Sequence, residues 1–392
     1  MSCLRSLLLA ACALLGLGSA SLAQHVVDPA GNGTHKDLQA AIDAAKAGDW
    51  IRVRGGTWEQ IVVRKSLTLL GDPMPTLLAP FNGVGFGKRQ PPPLHAVGKG
   101  REYLRLVDIR IEGLALGSGS WSSLSPAIKL EGWGRLELLR CHVRGMAWFA
   151  PTGLANGAPA IASDGPVQIH ASDSWIAASD SMGSVGPSRV DGAAGIDTPR
   201  GQVILSGSTV LGGAAAKLFL VACPATPCPC PQFRHRGGPA VRAQSLYHYG
   251  GILQGGAGGE LWCWQGSSLV RKGQQPDGAR YQARSSFFAA RDLRSRIPPQ
   301  PGGVWVLAYP LLKSGGILIL GDRAQQPQIL GPDRLWMDAL KPLLVLVLPP
   351  SSVELQLRLP KDPRLVGLVL SGQSFNLATW RVGAPVLEVV GF

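Results

Sequence analysis

Apolar and polar residues alternate along this chain in short bursts separated by turns. Leu38, Ala41, Ile42 and Ala45 fall at i, i+3, i+4 and i+7, the spacing of one helix face. Thr34 is placed to cap that helix, Asp37 to sit in its first turn and Gly48 to stop it. From there the period drops to two. Ile51 and Val53 alternate with Arg52 and Arg54, and Ile61 to Val63 and Leu67 to Leu70 read as further short strands.

A pattern then repeats. Leu104–Ile109, Leu136–Cys141, Val167–Ser172 and Val203–Ser208 each run apolar, any, apolar, two of any, then an inward position, and Leu261–Gly266 is a weaker fifth. The starts lie 32, 31, 36 and 58 residues apart. Ile111, Val143 and Val210 add an apolar place after three of them, and the small residues at 141, 172, 208 and 266 suit a bend. Pro126-Ala-Ile128, Pro159-Ala-Ile161, Ala194-Gly-Ile196 and Pro239-Ala-Val241 lead into the later segments. One such unit cannot bury its apolar face alone, whereas stacked units share a core and pair their strands in parallel. An antiparallel sandwich also has regular short strands, but not this repeated order of lead-in, turn and strand. Residues 212–238 and 244–260 break the rhythm and read as insertions between coils.

From residue 297 the texture changes. Ile297-Pro-Pro-Gln-Pro-Gly-Gly reads as a linker or a domain start, and runs such as Ile317 to Leu320 and Leu343 to Leu348 follow between turns. Val353-Glu-Leu355-Gln-Leu357-Arg-Leu359 alternates, so one face is wet. The expectation for 297–392 is a small antiparallel β-sandwich-like domain.

Composition narrows the setting. With 51 Gly and 31 Pro but 45% hydrophobic residues, the chain is turn-rich rather than disordered. Arg5, the apolar run Leu7 to Leu17 and Ser21-Leu22-Ala23 make residues 1–23 a secretory signal, too short to span a bilayer. The expected location is therefore extracellular or the cell envelope. The formal charge of +13 suits acidic polysaccharide, anionic lipid or nucleic acid. No long Lys/Arg run exists, so a solvated basic surface is favoured and no nucleic-acid partner is expected. Five cysteines follow the signal. Cys223, Cys228, Cys230 and Cys263 are disulfide candidates, and the odd number that includes Cys141 leaves one over. No histidine stands at a zinc-ligand spacing, His235 being nearest, so neither metal nor cofactor is expected.

Val27-Asp28-Pro29-Ala30-Gly31-Asn32-Gly33-Thr34, Leu38 to Ala45, Gly48-Asp49-Trp50-Ile51-Arg52-Val53, Gly56-Thr57-Trp58-Glu59-Gln60 and Lys65 to Gly71 together resemble the opening of pectin-lyase-like right-handed β-helices. Trp58 stands where that family has Tyr, and Gln60 where it has Glu. The resemblance implies an all-β chain, with a right-handed parallel β-helix over 24–296 and the helix capping its open end. It implies no one activity, because lyases, esterases, hydrolases and non-enzymes share the fold. Leu359 to Leu368 with Gly372-Gln373-Ser374-Phe375 resembles the terminal domain of planctomycete secreted proteins, for which no catalytic role follows.

Candidate chemistry is sparse. Asp164, Asp173, Asp180, Asp191 and Asp197 cluster with Arg189 and Arg200, and Asp164, Asp173, Asp197 and Arg200 are the catalytic candidates. Yet the motifs of pectinesterase-, polygalacturonase- and lyase-like enzymes are absent, so polar turn residues are the preferred reading. His142 and His170 read as surface histidines. Trp121, Trp133, Trp148 and Trp175 are candidate sugar-stacking residues, or packing at coil edges. Three functions follow: a non-catalytic β-helix that binds polysaccharide or a cell-surface component, a divergent carbohydrate-active enzyme on acidic polysaccharide, and a purely structural protein. Exposed tryptophans along one groove favour the first, a carboxylate pair with an adjacent arginine in that groove favours the second, and a groove with neither favours the third.

Overall fold

The computed structural model describes residues 24–78, 91–116, 125–149, 157–181, 191–215, 218–219, 236–265, 268–274, 276–289, 294–297, 299–309, 316–330, 333–348, 354–359, 361, 369–376 and 381–389. It divides into two compact units, one chiefly residues 25–287 and the other chiefly Phe288–Phe392. No helix among the described residues is long and apolar enough to cross a membrane.

The first unit is built on a large parallel sheet of 18 strands, an architecture consistent with a solenoid. Its strands fall into three ladders, one strand of each per coil. The entry ladder stacks Ile61, Leu94, Ile128, Ile161, Ile196 and Val241, each no more than 1% exposed. The lead-in triplets read from the sequence therefore stand in register. The middle ladder stacks Leu67, Leu104, Leu136, Ile169, Val203 and Leu246. The exit ladder stacks Leu77, Ile111, Val143, Ile176, Val210 and Leu253. Apolar side chains from all three ladders meet in one core.

Two details of the repeat differ from the sequence reading. The third segment starts at Ile169, not Val167, so the spacing is 32, 33 and 34 residues. Leu138 accordingly pairs with Ala171, and Ile169 sits one inward place earlier. A slide of two residues keeps every side chain on its own face, so alternation alone cannot exclude it. The fifth coil is Leu246-Tyr-His-Tyr-Gly-Gly251, inside the strand Val241–Gln254, and residues 244–254 are thus no insertion. Leu261 and Cys263 belong instead to a separate three-stranded sheet, in which Glu260–Gln265 pairs antiparallel with Ser268–Gln274.

In five of the six coils, from Leu104 onward, the corner between middle and exit strands is made by one residue. Asp108, Arg140, Asp173, Gly207 and Gly250 hold equivalent places and all have positive φ, from 48° to 71°. In the first four of these the residue that follows turns inward, and Ile109, Cys141, Ser174 and Ser208 are buried. There Cys141 N donates to Ser174 Oγ and Ser174 N to Ser208 Oγ, each at 3.1 Å. The bend thus lies one residue before Cys141 and Ser208. In the third coil Ser174, not Ser172, follows the bend, and Gly266 lies outside the described residues.

The corner between exit and entry strands is closed by glycine. Gly213 N donates to Ala193 O at 2.9 Å, Gly238 N to Gly213 O, Gly256 N to Gly238 O and Gly278 N to Gly256 O, each of the last three at 2.8 Å. Segments leaving one coil and entering another thus interlock backbone to backbone. A Cβ on Gly213, Gly238, Gly256 or Gly278 would press into a neighbouring carbonyl. Close approach of main chains, rather than turn formation, is what these glycines supply.

The helix spans Leu38–Ala44. Its N-cap is Asp37, whose carboxylate accepts from Ala40 N at 2.7 Å, in place of the predicted Thr34. Thr34 instead accepts from Val26 N and donates to Val26 O. Leu38, Ala41, Ile42 and Ala45 are all buried in the core, as their spacing predicted. The Gln39 amide accepts from Val62 N at 2.7 Å and donates to Val62 O at 3.1 Å, so a side chain satisfies main-chain groups of the first entry strand. Lys65 Nζ donates to the carbonyls of Asp43 and Ala45 at the helix end. Ile42 is 1% exposed. Ile42→Asp is expected to lose several kcal/mol, on the order of an unpaired buried charge. Urea unfolding checks this, and a midpoint equal to that of the parent would contradict it.

The second unit contains a three-stranded antiparallel sheet of Arg294–Ile297, Val304–Ala308 and Glu354–Arg358. It also contains a four-stranded antiparallel sheet of Gly316–Leu330, Asp333–Leu348, Val369–Asn376 and Arg381–Val389. Trp305, Leu307 and Leu357 from the first share one apolar core with Leu318 and Leu320 from the second.

Candidate functional site

Each ladder also has an outward face, and the three differ. On the middle ladder the outward row runs Thr68, Arg105, Glu137, His170, Ile204 and Tyr247. Glu137 and His170 are each 1% exposed and Ile204 is fully buried, so this face offers no open groove. Arg105 donates to Glu137 Oε2 at 2.6–2.7 Å, and Arg135 lies 3.6 Å from Oε1. His170 Nε2 lies 3.3 Å from Ser172 Oγ. A serine, histidine and glutamate thus stand close together, but Ser172 is fully buried and no substrate reaches it. The expectation of a surface His170 is corrected here, because neighbouring residues cover it.

The exit face carries Arg110, His142, Trp175 and Thr209 in one row. Trp175 stacks on His142, with ring centroids 4.1 Å apart and 20° between planes. Adjacent coils place the two rings face to face, so one face of Trp175 is already taken. Burial, then the nearby Arg110 and Arg144, lower the His142 pKa, while Glu112 opposes them. Trp133 is fully buried and donates from Nε1 to Arg135 O at 2.9 Å. It is a core residue, which removes it from the sugar-stacking set. Trp148 pairs with Ala115 through its backbone, and its side chain lies outside the described residues, as does Trp121.

The entry face carries Asp197, and Asp191 lines the groove beside it. Its outward row includes His95, Lys129, Ala162, Asp197 and Arg242. A groove of about 480 Å³ opens beside it, lined by Gly157, Pro159, Asp191, Gly192, Ala193, Ala194, Asp197 and Arg242. Its floor is small residues of the segments that feed the entry strands. Arg242 Nη1 lies 3.3 Å from Asp197 Oδ2. Asp197 Oδ1 is buried and has no hydrogen-bond partner among the described residues. Burial raises the Asp197 pKa, Arg242 pulls it down and Asp164 pushes it up again. The net direction is upward, so this carboxyl holds its proton more firmly than an exposed one.

The other candidates separate from this site. Asp164 is exposed and acts on Asp197 only through its charge. Asp173 is an exposed corner residue whose amide donates to Ser206 O. Asp180 accepts from Ala214 N at 2.7 Å and Asp191 from Arg236 N at 3.0 Å, so both brace neighbouring segments. Their role is structural, but it bridges segments distant in the chain rather than capping a local turn, and Asp191 also lines the groove. Arg200 is exposed where the register between the strands Ile196–Leu211 and Val241–Gln254 shifts. Arg189, Cys223, Cys228 and Cys230 lie outside the described residues, as does the side chain of Cys263. Cys141 is a buried free thiol whose pKa burial pushes up to about 12, far from a reactive thiolate.

Arg242 is the site residue that the sequence reading missed. Its signal was present in the aligned lead-ins. The residue after Ala194-Gly-Ile196 is Asp197 and the residue after Pro239-Ala-Val241 is Arg242, so parallel stacking sets them side by side. The pKa direction carries a stability consequence. A raised carboxyl contributes stability below its unfolded value near 3.8, and this is lost as pH rises through the folded value. Asp197→Asn is therefore expected to gain in melting temperature over the parent at pH 7, and the gain should shrink near pH 3.5. A variant less stable than the parent at pH 7 would show that the pair with Arg242 outweighs desolvation.

No protein-family model and no curated protein matches this chain.

Proposed function

We propose that the chain is an exported protein of the pectin-lyase-like type that holds a polysaccharide in the groove at Asp197. In this reading the stacked coils form a right-handed β-helix, the Leu38–Ala44 helix caps its first coil, and the segment from about residue 297 is a β-sandwich-like domain. One observation carries the functional reading. The groove combines a half-desolvated carboxyl with a partnerless oxygen, an adjacent guanidinium and a floor of small residues. Stability alone does not call for such a group, which costs free energy at neutral pH. Sugar hydroxyls supply the donors that Asp197 Oδ1 lacks, and Arg242 supplies donors in turn.

A second reading draws on the same residue. An aspartic acid with a raised pKa is suited to proton transfer, as a divergent carbohydrate-active enzyme requires. Asp191 and Asp197 beside Arg242 are the carboxylates and arginine that favour an enzyme, and no tryptophan is among the groove's described lining. But Asp191 Oδ1 accepts from Arg236 N and so serves as a brace rather than as a second acid or base. The binding reading is therefore preferred. The test is a glycan array followed by product analysis on polygalacturonate, methylated pectin and neutral glucans. Binding without product, weakened about tenfold or more by Arg242→Ala together with Asp197→Ala, is the expected result. Turnover abolished by Asp197→Asn would establish the enzyme instead. No binding to any glycan would leave the purely structural role.

A further inference from the structure

Two coil edges beyond Asp197, the entry face becomes strongly basic. The strand Tyr281–Ala289 follows Val241–Gln254 in the sheet. Arg242 Nε donates to Gln282 Oε1 at 3.4 Å, Ser285 Oγ bonds Ser245 Oγ at 2.9 Å and Ala240 N bonds Ala279 O. These contacts set residue 282 beside 242. Tyr281 and Ala283 pack against the core, so Arg280, Gln282 and Arg284 face outward, and all three are exposed. Arg280 and Arg284 have no ion-pair partner among the described residues. Arginine two places either side of Gln282, with Arg242 on the next strand, makes a triangle with sides of roughly 7 to 13 Å from strand geometry.

We propose that Arg242, Arg280 and Arg284 form an anchor for a polysaccharide that carries sparse anionic groups, with its chain running on toward Asp197. This rests on the reading of the Asp197 groove as a polysaccharide site. Guanidinium forks bind carboxylate or sulfate with two parallel hydrogen bonds, and the exposed pair is free to do so. Sparse charge is favoured because Asp191 and Asp197 lie beside the anchor. A duplex with a charge about every 1.7 Å would set phosphates against those carboxylates. A polymer with one anion per sugar can place its charges on the arginines and its hydroxyls at Asp197.

The test compares the purified protein with an Arg280→Gln, Arg284→Gln double variant by affinity electrophoresis on polygalacturonate, neutral hydroxyethyl cellulose and duplex DNA. Both positions are exposed, so an unchanged melting temperature is the control. The protein should bind polygalacturonate at least about tenfold more tightly than the neutral polymer at low salt. The double variant should lose that margin and keep its neutral binding. A margin that survives the double substitution overturns the anchor, as does duplex DNA bound more tightly than polygalacturonate. Equal binding of both polymers, untouched by the variant, overturns the anchor and leaves the groove reading intact. Binding to neither polymer overturns both.

Discussion

Gly238→Ala is expected to destabilise the first unit by about 3 kcal/mol or more, the upper end of overpacking effects. The Cβ would press into Ala193 O and lie 2.7 Å from the Gly192 carbonyl carbon. Main-chain atoms cannot rotate aside as a side chain can. Gly238 also sits mid-zipper, donating to Gly213 and accepting from Gly256. Relief at one contact would therefore stretch two hydrogen bonds. Gly165→Ala is the control, because a Cβ there meets nothing within 4 Å. It should change stability by no more than about 0.5 kcal/mol. Equal effects of the two substitutions in urea unfolding would show that the segments do not interlock.

Glu137→Ala is expected to cost about 3–5 kcal/mol, the range for breaking a buried ion pair from one side. Glu137 is 1% exposed, and the Arg105 side chain beside it is 13% exposed. Removing the carboxylate leaves Arg105 and Arg135 without their shared partner. Glu137→Gln keeps the shape and an acceptor, so it should cost less. The pair of Lys129 and Glu131 on the entry face supplies the contrast. Its side chains are 30% and 42% exposed, and Glu131→Gln should cost no more than about 1 kcal/mol. Guanidinium chloride would mask these charge effects, so urea is the denaturant of choice.

Much of the large parallel sheet was legible because its core obeys period two. Ile128, Ile161, Ile196 and Val241 announce themselves by a small residue in front with Pro or Ala before it, and the ladder places them together. The third coil was misread because Val167 and Ile169 are both apolar and both face inward. The fifth was misread because Leu261-Trp-Cys263-Trp looks more apolar than Leu246-Tyr-His-Tyr, although the latter carries the stack. Gly213, Gly238 and Gly256 fall in stretches that read as insertions, for want of a signal that marks a close approach of main chains rather than a bend. A sequence lists them the same way, and only stacking shows that Gly213, Gly238 and Gly256 face one another.

The site was legible in half. Asp197 is among the catalytic candidates that the sequence offers, but its partner lies 45 residues on and becomes adjacent only through strand register. The tryptophans mislead for a physical reason. Trp133 satisfies its own N–H on Arg135 O and so can be buried whole. Trp175 spends one ring face on His142.

Hydrogen exchange with and without polygalacturonate tests the central claim most directly. Amides at 191–198 and 240–244, on the groove floor and its walls, should gain protection on binding, with Asp197→Ala removing that gain. Protection confined to other segments, or none at a concentration where the polymer is bound, would contradict a polysaccharide site at Asp197.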